Sequence, residues 1–416
     1  MTLALLHIND QCLRLISENG ETSIETGFSH SSKQGLVTGS AAYETAWTKP
    51  HLSNNRFWHE LNQNPLPKKL KYARHHADMA YAQLCSMLSK VPSPQLLLSV
   101  PASLDNGQLS LLLGLIKAVP AEICGVIDNA LLAAGPEHKH VAELQLHQAV
   151  LTQLDRVDEN RKIRSHETIP ELGTTAIYRE IAMHASEKLI SANRYDPLFL
   201  PTSQQQLYNA IPKALSQIVT NDEATISLDT PNGLLTVTLS HGDLKKLLDP
   251  FLKKLIRRLD KCRSNRLLLG SGSEIVATFM TDLVSADRVD FNMLAQKGFS
   301  LVQSGAISPT PLKRIVTLKS TNSGELAAGP AATHLVNEGR AWRLDDPLSL
   351  WLRDKGVRIA RGERSDSDLT IHADGRRLKI LHKTNGVTIV LPKYAACGEW
   401  LKIGKFKLQL IEIHDA

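Results

Sequence analysis

Residues Glu171 to Glu180 read ELGTTAIYRE, and the Gly173-Thr174-Thr175 triplet within them is of the kind that wraps a phosphate when it sits between two strands. Glycine is what such a cradle needs, because only without a Cβ can backbone N–H groups approach an anion closely. A second glycine-bearing stretch, GSGS at Gly270 to Ser273, could serve the same end but is a weak signal by itself. Two histidine clusters, Arg74-His75-His76 and His138-Lys139-His140, raise metal binding. Neither has the i, i+4 pairing with an acidic partner that a helical zinc site uses, so both are expected to be surface histidines. Lys253, Lys254, Arg257, Arg258 and Lys261 are interleaved with Leu252, Leu255, Ile256 and Leu259, which would suit a membrane surface or nucleic acid. The same spacing is that of a solvated basic face over a packed apolar stripe, and we expect the latter.

The elements around these residues decide between such readings. Apolar runs at Leu3 to Ile8 and Cys12 to Ile16, separated by Asn9, Asp10 and Gln11, predict a hairpin of two strands. Leu96 to Val100 reads as a buried strand stopped by Pro101, and Leu109, Leu112, Leu113 and Ile116 follow at helical spacing. The strand ICGVI and the small-residue helix NALLAAG come next. Strand, helix, strand, helix means an α/β domain. Tyr178, Ile181, Ala182, Ala185 and Leu189 place a helix over residues 176 to 191, with Thr174 or Thr175 as its cap. The Gly-Thr-Thr triplet therefore opens a helix, joins no strand hairpin, and is expected to cap rather than to cradle phosphate. ATISLDTPNGLLTVTLS predicts a hairpin turning at Asn232-Gly233 in a type I′ turn. A helix from Asp243 to Cys262 follows, with Pro250 as a kink or restart, and then the strand RLLLG.

The chain of 416 residues is 42% hydrophobic and 22% charged, which suffices for a buried core in two or three domains. Its cysteines, Cys12, Cys85, Cys124, Cys262 and Cys397, are scattered and never paired as Cys-x-x-Cys. They indicate neither a disulfide framework nor a zinc site and fit a reducing cytoplasm. The first residues, MTLALLHIND, lack the basic flank of a signal peptide. No run reaches the roughly 18 apolar residues of a membrane helix, so a cytoplasmic protein without membrane insertion is expected.

Residues 310 to 416 hold 18 Lys and Arg against 12 Asp and Glu, so the whole net charge of +6 lies in the last quarter of the chain. There the pattern changes to short alternating segments, such as Val387 and Ile389, then Phe406, Leu408 and Leu410, punctuated by Asp374-Gly375 and Asn385-Gly386. This predicts a smaller, basic all-β domain. Its stretch RGERSDSDLTI resembles the loop and strand of forkhead-associated domains, which bind phosphothreonine, but the Ser-x-x-His expected downstream is absent. The basic excess beside Trp342, Trp351, Tyr394 and Trp400 would also suit an anionic partner such as nucleic acid. The plainer expectation, which we adopt, is that these aromatics are core.

The order of the pieces over residues 1 to 307 resembles the nucleotide-binding domain of the seventy-kilodalton heat-shock chaperones, within the actin-like ATPase superfamily. LLLSVPASLDNGQLSLLLGLIKAV is similar to the strand ending in Val-Pro-Ala and the helix after it, and GVIDNALLAAG to the connecting helix. TISLDTPNGLLTVTLSHGDLKKLLDPFLKKL is similar to the hairpin and helix of the second lobe, LLLGSGSEIV to the late adenosine loop, and AQKGFSLVQSGAI to the closing helix. The resemblance implies an α/β, two-lobed, actin-like ATPase fold over residues 1 to 307, followed by the all-β domain over 310 to 416.

It also implies where ATP or ADP with magnesium would sit, and there the residues depart from the family pattern. The first phosphate hairpin, Asp-x-Gly-Thr-Thr in the family, reads INDQC, with Asn9 and Asp10 and no glycine. The second, Asp-x-Gly-Gly-Gly-Thr, reads AELQLHQA, with Glu143 near the aspartate and Gln145, Leu146 and His147 where glycines belong. Asn129 and Ala130 replace the catalytic glutamate and its proline. The adenosine helix offers Asn209, Pro212 and Lys213 in place of Glu, Lys and Arg, although Ser216 remains. Gly270, Gly272 and Ser273 of the late loop remain, but Glu274 stands for the arginine that flanks adenine. The stretch SNNRFWHELNQNP has no lysine to act as the catalytic one. These departures imply a pseudo-ATPase without a cofactor, acting as a non-enzymatic scaffold whose β domain engages a protein partner. The alternative is a divergent chaperone or switch that still binds ATP or ADP through Gly270 to Ser273.

Overall fold

The computed structural model describes residues 2–20, 22–157, 160–260, 267–280, 286–310, 312–319, 332–337, 339–354, 356–374, 377–384, 387–391, 400–404 and 406–411. The chain divides into two compact units, Met1–Ser320 and Thr321–Ala416.

The first unit is α/β and contains two six-stranded sheets. One sheet has the order Arg314–Ile315, Glu122–Asp128, Gln95–Val100, Leu3–His7, Leu13–Ser17, Thr22–Glu25. Leu3–His7 pairs antiparallel with Leu13–Ser17 and parallel with Gln95–Val100. All of Leu3–His7 and residues 96 to 100 are buried, the unbroken run a strand carries when both of its faces are covered. Side chains alternate across a strand. Leu96 and Leu98 therefore meet helices His76–Leu88 and Asn106–Lys117, while Leu97 meets helices Asn129–Ala133 and Phe291–Gln303.

The second sheet repeats this arrangement in the order Ala286–Arg288, Leu267–Leu269, His140–Leu144, Gln148–Val157, Asn160–Pro170, Thr317–Lys319. Again a first strand, His140–Leu144, is antiparallel to its successor and parallel to the strand on its other side. Val141, Leu154 and Leu268 of this sheet share one core with Leu5 and Leu97 of the other. Helices Thr174–Asn193, Pro201–Asn221 and His241–Asp260 and the hairpin Glu223–Thr230/Gly233–Ser240 form a further core around Ile181, Leu189, Ile211, Leu228, Leu239 and Leu248.

Two expectations change here, and a third, left open between a kink and a restart at Pro250, is narrowed. The hairpin forms, but its corners are Pro231 and Asn232, between the paired Thr230 and Gly233. Gly233 has φ of 112°, whereas Asn232 is not among the residues with positive φ. Proline at the first corner fixes φ negative, which a type I′ turn does not allow. Next, His241–Asp260 is one helix with Pro250 inside it rather than a restart. Lys253, Lys254, Arg257 and Arg258 are exposed on it, above buried Leu248, Leu252 and Leu255; Lys261 lies outside the described residues. Finally, residues 310 to 319, read from their sequence as the opening of the β domain, extend the first unit instead. Arg314 and Ile315 pair with Val126 and Ile127, and Thr317–Lys319 pairs with residues 160 to 162.

The second unit has one sheet of five strands and one of four, with all described neighbours antiparallel. Leu335, Leu348, Leu350, Ile371, Leu401 and Leu410 form its core. No helix occurs among its described residues. The aromatics follow the expectation of a core only in part: Trp342 packs against it, Trp400 does not. The strand Trp400–Ile403 turns Leu401 and Ile403 inward and leaves Trp400 46% exposed, because alternation puts it on the outer face. Trp342 and Trp351 are half-buried, with the guanidinium groups of Arg340 and Arg358 at 4.7 and 5.7 Å from their ring centres. Tyr394 lies outside the described residues.

Among the described residues, no helix is long and apolar enough to cross a membrane.

Candidate functional site

Each of the two repeated sheets begins with a strand, a tight turn and an antiparallel return, and the two turns meet. In the first turn the Asn9 side-chain amide donates to Leu144 O at 3.1 Å and to Ser271 O at 3.3 Å, while its oxygen accepts from Gln11 N. The Asp10 carboxylate accepts from Leu146 N, in the second turn, at 2.8 Å. Asn129 ties in a third element: its amide donates to Ile8 O at 3.1 Å and to the Glu143 carboxylate at 3.0 Å, and its oxygen accepts from Ser99 Oγ. Asn9, Asp10, Asn129, Glu143, Gln145 and Ser273 are all buried. Asn9, Asp10, Asn129 and Glu143 form one network of side-chain and backbone hydrogen bonds, while the second Asp10 oxygen, Oδ2, is buried without a hydrogen-bond partner.

The turn Gly270 to Ser273 packs against the strand His140–Leu144. Leu144 N donates to Ser271 O at 3.0 Å, and Ser273 Oγ donates to Ala142 O at 2.8 Å. Its glycines are explained by this close approach: a Cβ on Gly272 would lie 2.1 Å from Leu144 O. Glu274 opens the helix Glu274–Met280, and its side chain lies outside the described ones.

Gly173, rather than a threonine, caps the helix Thr174–Asn193. The N–H groups of Thr174 and Thr175 donate to Gln145 O and Leu146 O, both at 3.0 Å. Thr174 Oγ1 bonds Gln11 Oε1, and Thr175 Oγ1 donates to Leu146 O. The expectation that a threonine side chain caps this helix is thus corrected: carbonyls of the second turn take its first donors. Gly173 is needed because a Cβ there would lie 2.3 Å from Leu146 O and 2.6 Å from Gln148 N.

Burial pushes the Asp10 carboxyl up to about 6, against the backbone hydrogen bonds from Leu146 and Gln11 that pull it down. The folded state therefore holds this proton more tightly than the unfolded chain, whose carboxyl titrates near 3.8. The stability it contributes is present below that pH and is lost as pH rises from about 4 to about 6. Asp10→Asn is expected to remove on the order of 3 kcal/mol of this pH dependence. Denaturant unfolding at intervals from pH 4 to 7 measures it, and an unaltered profile would mean the carboxyl is solvated.

Beside this network lies a cleft of about 890 Å³. Gln11, His147, Gln148, Thr174 and Thr175 line its polar part, and Phe28, Tyr43, Trp47, Tyr178 and Tyr208 its aromatic part. The Trp47 and Tyr208 rings stack at 4.1 Å and 13°. Hydrogen bonds from Tyr43 Oη to Tyr208 O, from Gln205 Nε2 to Tyr43 O and from Trp47 N to Gln205 Oε1, at 2.8 to 2.9 Å, hold residues 43 to 47 against helix Pro201–Asn221. His147 donates to Asn55 O at 3.0 Å, and burial lowers its pKa to about 4. His59 is lowered for the same reason, so neither ring is a cation at neutral pH.

The sequence-derived positions are thus only partly gathered. Asn9, Asp10, Asn129, Glu143, Gln145, Gly270, Gly272 and Ser273 come together, and His147 faces the cleft. Asn209 accepts from Gln205 Nε2 on the helix above. Lys213 and Ser216 are exposed outside the cleft lining, with Ser216 Oγ donating to its own helix at Pro212 O. The aromatic wall was not anticipated; the spacing of Tyr43 and Trp47 in YETAW is the one local signal for it.

The histidine clusters differ from the expected surface groups: His76, His138 and His140 are buried. Glu137, His138 and Asp287 stand close enough to share a metal ion. Both His138 nitrogens are nevertheless engaged, Nδ1 accepting from Gly135 N at 2.9 Å and Nε2 donating to Asp287 at 2.9 Å. That pattern joins a turn to the strand Ala286–Arg288 and leaves no lone pair for a cation.

No described protein family and no curated protein sequence matches the chain.

Proposed function

We propose that the chain is a pseudo-ATPase built on the two-lobed actin-like fold of the heat-shock chaperones. It works as a non-enzymatic protein-interaction scaffold, and its basic second unit engages a protein partner. The repeated strand order of the two sheets, each a meander with parallel strands added beside its first strand, supports the fold reading. The loss of ATP chemistry is carried by one contact, the Leu146 N–H donated to Asp10. A triphosphate with magnesium needs close donors and balanced charge. Here a turn N–H placed to serve as such a donor is spent on a buried carboxyl, and Gln145, Leu146 and His147 carry side chains where backbone would have to meet phosphate. The residues present do not fit ATP with magnesium.

Calorimetric titration of the full chain with ATP and ADP in magnesium is expected to give no binding up to millimolar nucleotide. Micromolar binding, or turnover that a substitution in Gly270 to Ser273 abolishes, would overturn this reading in favour of a nucleotide-dependent switch.

A further inference from the structure

We infer that the open edge of strand Gly233–Ser240, with the groove between it and helix Thr174–Asn193, docks an extended segment of a partner protein, which joins the hairpin as a third strand. The inference goes beyond the scaffold reading, which puts the partner on the second unit, by adding a docking surface on the first.

The hairpin Glu223–Thr230/Gly233–Ser240 is a sheet of two strands, so each strand has one side outside the ladder. In an antiparallel pair, residues that bond across the ladder alternate with residues whose N–H and C=O point away from it. Two contacts show which are which. Asp229, opposite Leu234, bonds Gln206 through both its N–H and its C=O, and Thr238 O accepts from Lys188 Nζ. Leu234, Thr236 and Thr238 therefore turn their backbone groups outward. The Thr225 and Thr238 hydroxyls, 3.4 Å apart, agree, since side chains approach most closely in pairs that do not bond across the ladder.

The two edges are finished differently. On the strand Glu223–Thr230, the Gln206 amide meets the outward groups of Asp229 at 2.9 and 3.4 Å. On the strand Gly233–Ser240, Lys188 takes Thr238 O at 3.1 Å. The outward N–H and C=O groups of Leu234 and Thr236, and the N–H of Thr238, have no hydrogen-bond partner among the described residues. Thr236 and Thr238 are exposed, and Leu234 is 62% exposed. Donors and acceptors set in line at every second residue, about 7 Å apart, are matched by another extended backbone. A helix has already spent its backbone groups on itself and has none to offer.

Beside this edge runs a groove of about 570 Å³, between residues 236 to 238 and the helix residues His184, Glu187, Lys188 and Ser191. Val237 and Leu189 line it and belong to one core, so the helix covers the inward face of the hairpin. Side chains of an added strand alternate between its two faces, and every second one enters the groove. There it meets Val237, Leu189 and Ala192. Lys188 is already paired with Asp243 at 2.7 Å. The segment that fits is extended, with small apolar residues at alternate positions.

The test is calorimetry and amide hydrogen exchange on the full chain. The probe is a short capped peptide of alternating valine and threonine, beside the same peptide N-methylated throughout, which has no N–H to pair. The peptide is expected to bind with Kd at or below about 1 mM and to slow exchange at Leu234, Thr236 and Thr238, and the methylated form to bind at least about tenfold more weakly. Thr236→Pro removes an outward N–H and none from the ladder, a place where an edge strand accepts proline, so it is expected to keep the fold and weaken binding by about tenfold or more. The methylated peptide is compared on the unaltered chain, so the test stands even if this variant does not fold. Absence of binding, equal binding of the methylated peptide, or undiminished binding by a folded Thr236→Pro variant would overturn the inference. So would dimerisation that protects the same amides without peptide, because the occupant would then be a second copy of this chain. ATP binding would overturn the pseudo-ATPase reading instead, so the two failures are distinguishable.

Discussion

Arg314→Ala is expected to destabilise the first unit by about 3–5 kcal/mol, the range for removing one partner of a buried ion pair. Asp128 is fully buried, and Arg314 Nη2 lies 2.8 Å from its carboxylate. The same guanidinium donates to Pro101 O and Leu104 O, both at 2.8 Å. Burial raises the Asp128 pKa, and the arginine opposes that rise. Without the guanidinium, the carboxyl must take up a proton or stay charged among Leu131 and its neighbours. Denaturant unfolding of the variant gives the loss directly. The double variant Arg314→Met with Asp128→Asn is expected to lose less than Arg314→Ala alone, because no buried charge remains. A loss below about 1 kcal/mol for Arg314→Ala would place the pair among solvated surface bridges.

Gly272→Ala is expected to cost about 3 kcal/mol or more, from two separate causes. Its φ of 75° is left-handed, which charges alanine roughly 1–2 kcal/mol. The added Cβ also meets Leu144 O at 2.1 Å, and overpacking of this kind adds about 1–3 kcal/mol. Leu144 cannot retreat, because its strand is bonded to the return strand on one side and to Leu267–Leu269 on the other. Gly305→Ala separates the causes: φ there is 72°, but nothing lies within 4 Å of the added atom. Its expected loss is the backbone part alone, about 1–2 kcal/mol. Equal losses at the two positions would mean the strand yields to the new methyl.

What could be read from the sequence was local. Unbroken apolar runs such as LLLSV gave the buried strands, and periodic residues such as Ile181, Ala185 and Leu189 gave the helix after the Gly-Thr-Thr triplet. The turn at Pro231 was misjudged because Asn232-Gly233 is a strong signal by composition, while the preceding proline quietly forbids the turn it suggests. Arg314–Ile315 and Thr317–Lys319 were beyond reach of alternation, since strands of two and three residues have too short a period to register. At the site, the absence of glycine was plain in INDQC and AELQLHQA. That the Asp10 carboxylate takes the N–H of a residue 136 positions away was not, because such a contact depends on how the two turns are brought together. The cleft wall has the same origin: Tyr43, Trp47 and Tyr208 are ordinary aromatics until the helix carrying Tyr208 is laid against residues 43 to 47.

The strand Arg314–Ile315 also bears on the order in which the chain can be made. Asp128 precedes Arg314 by 186 residues. At about 5–20 residues per second, synthesis separates the two by roughly 10–40 s. For that interval the sheet that begins at Leu3 has the edge of Glu122–Asp128 unpaired and a buried carboxyl without its cation. An unpaired edge is a template for wrong partners. The nascent first half therefore keeps this edge open for the whole interval, and the segment that covers it at Val126 and Ile127 is among the last of the first unit to be made.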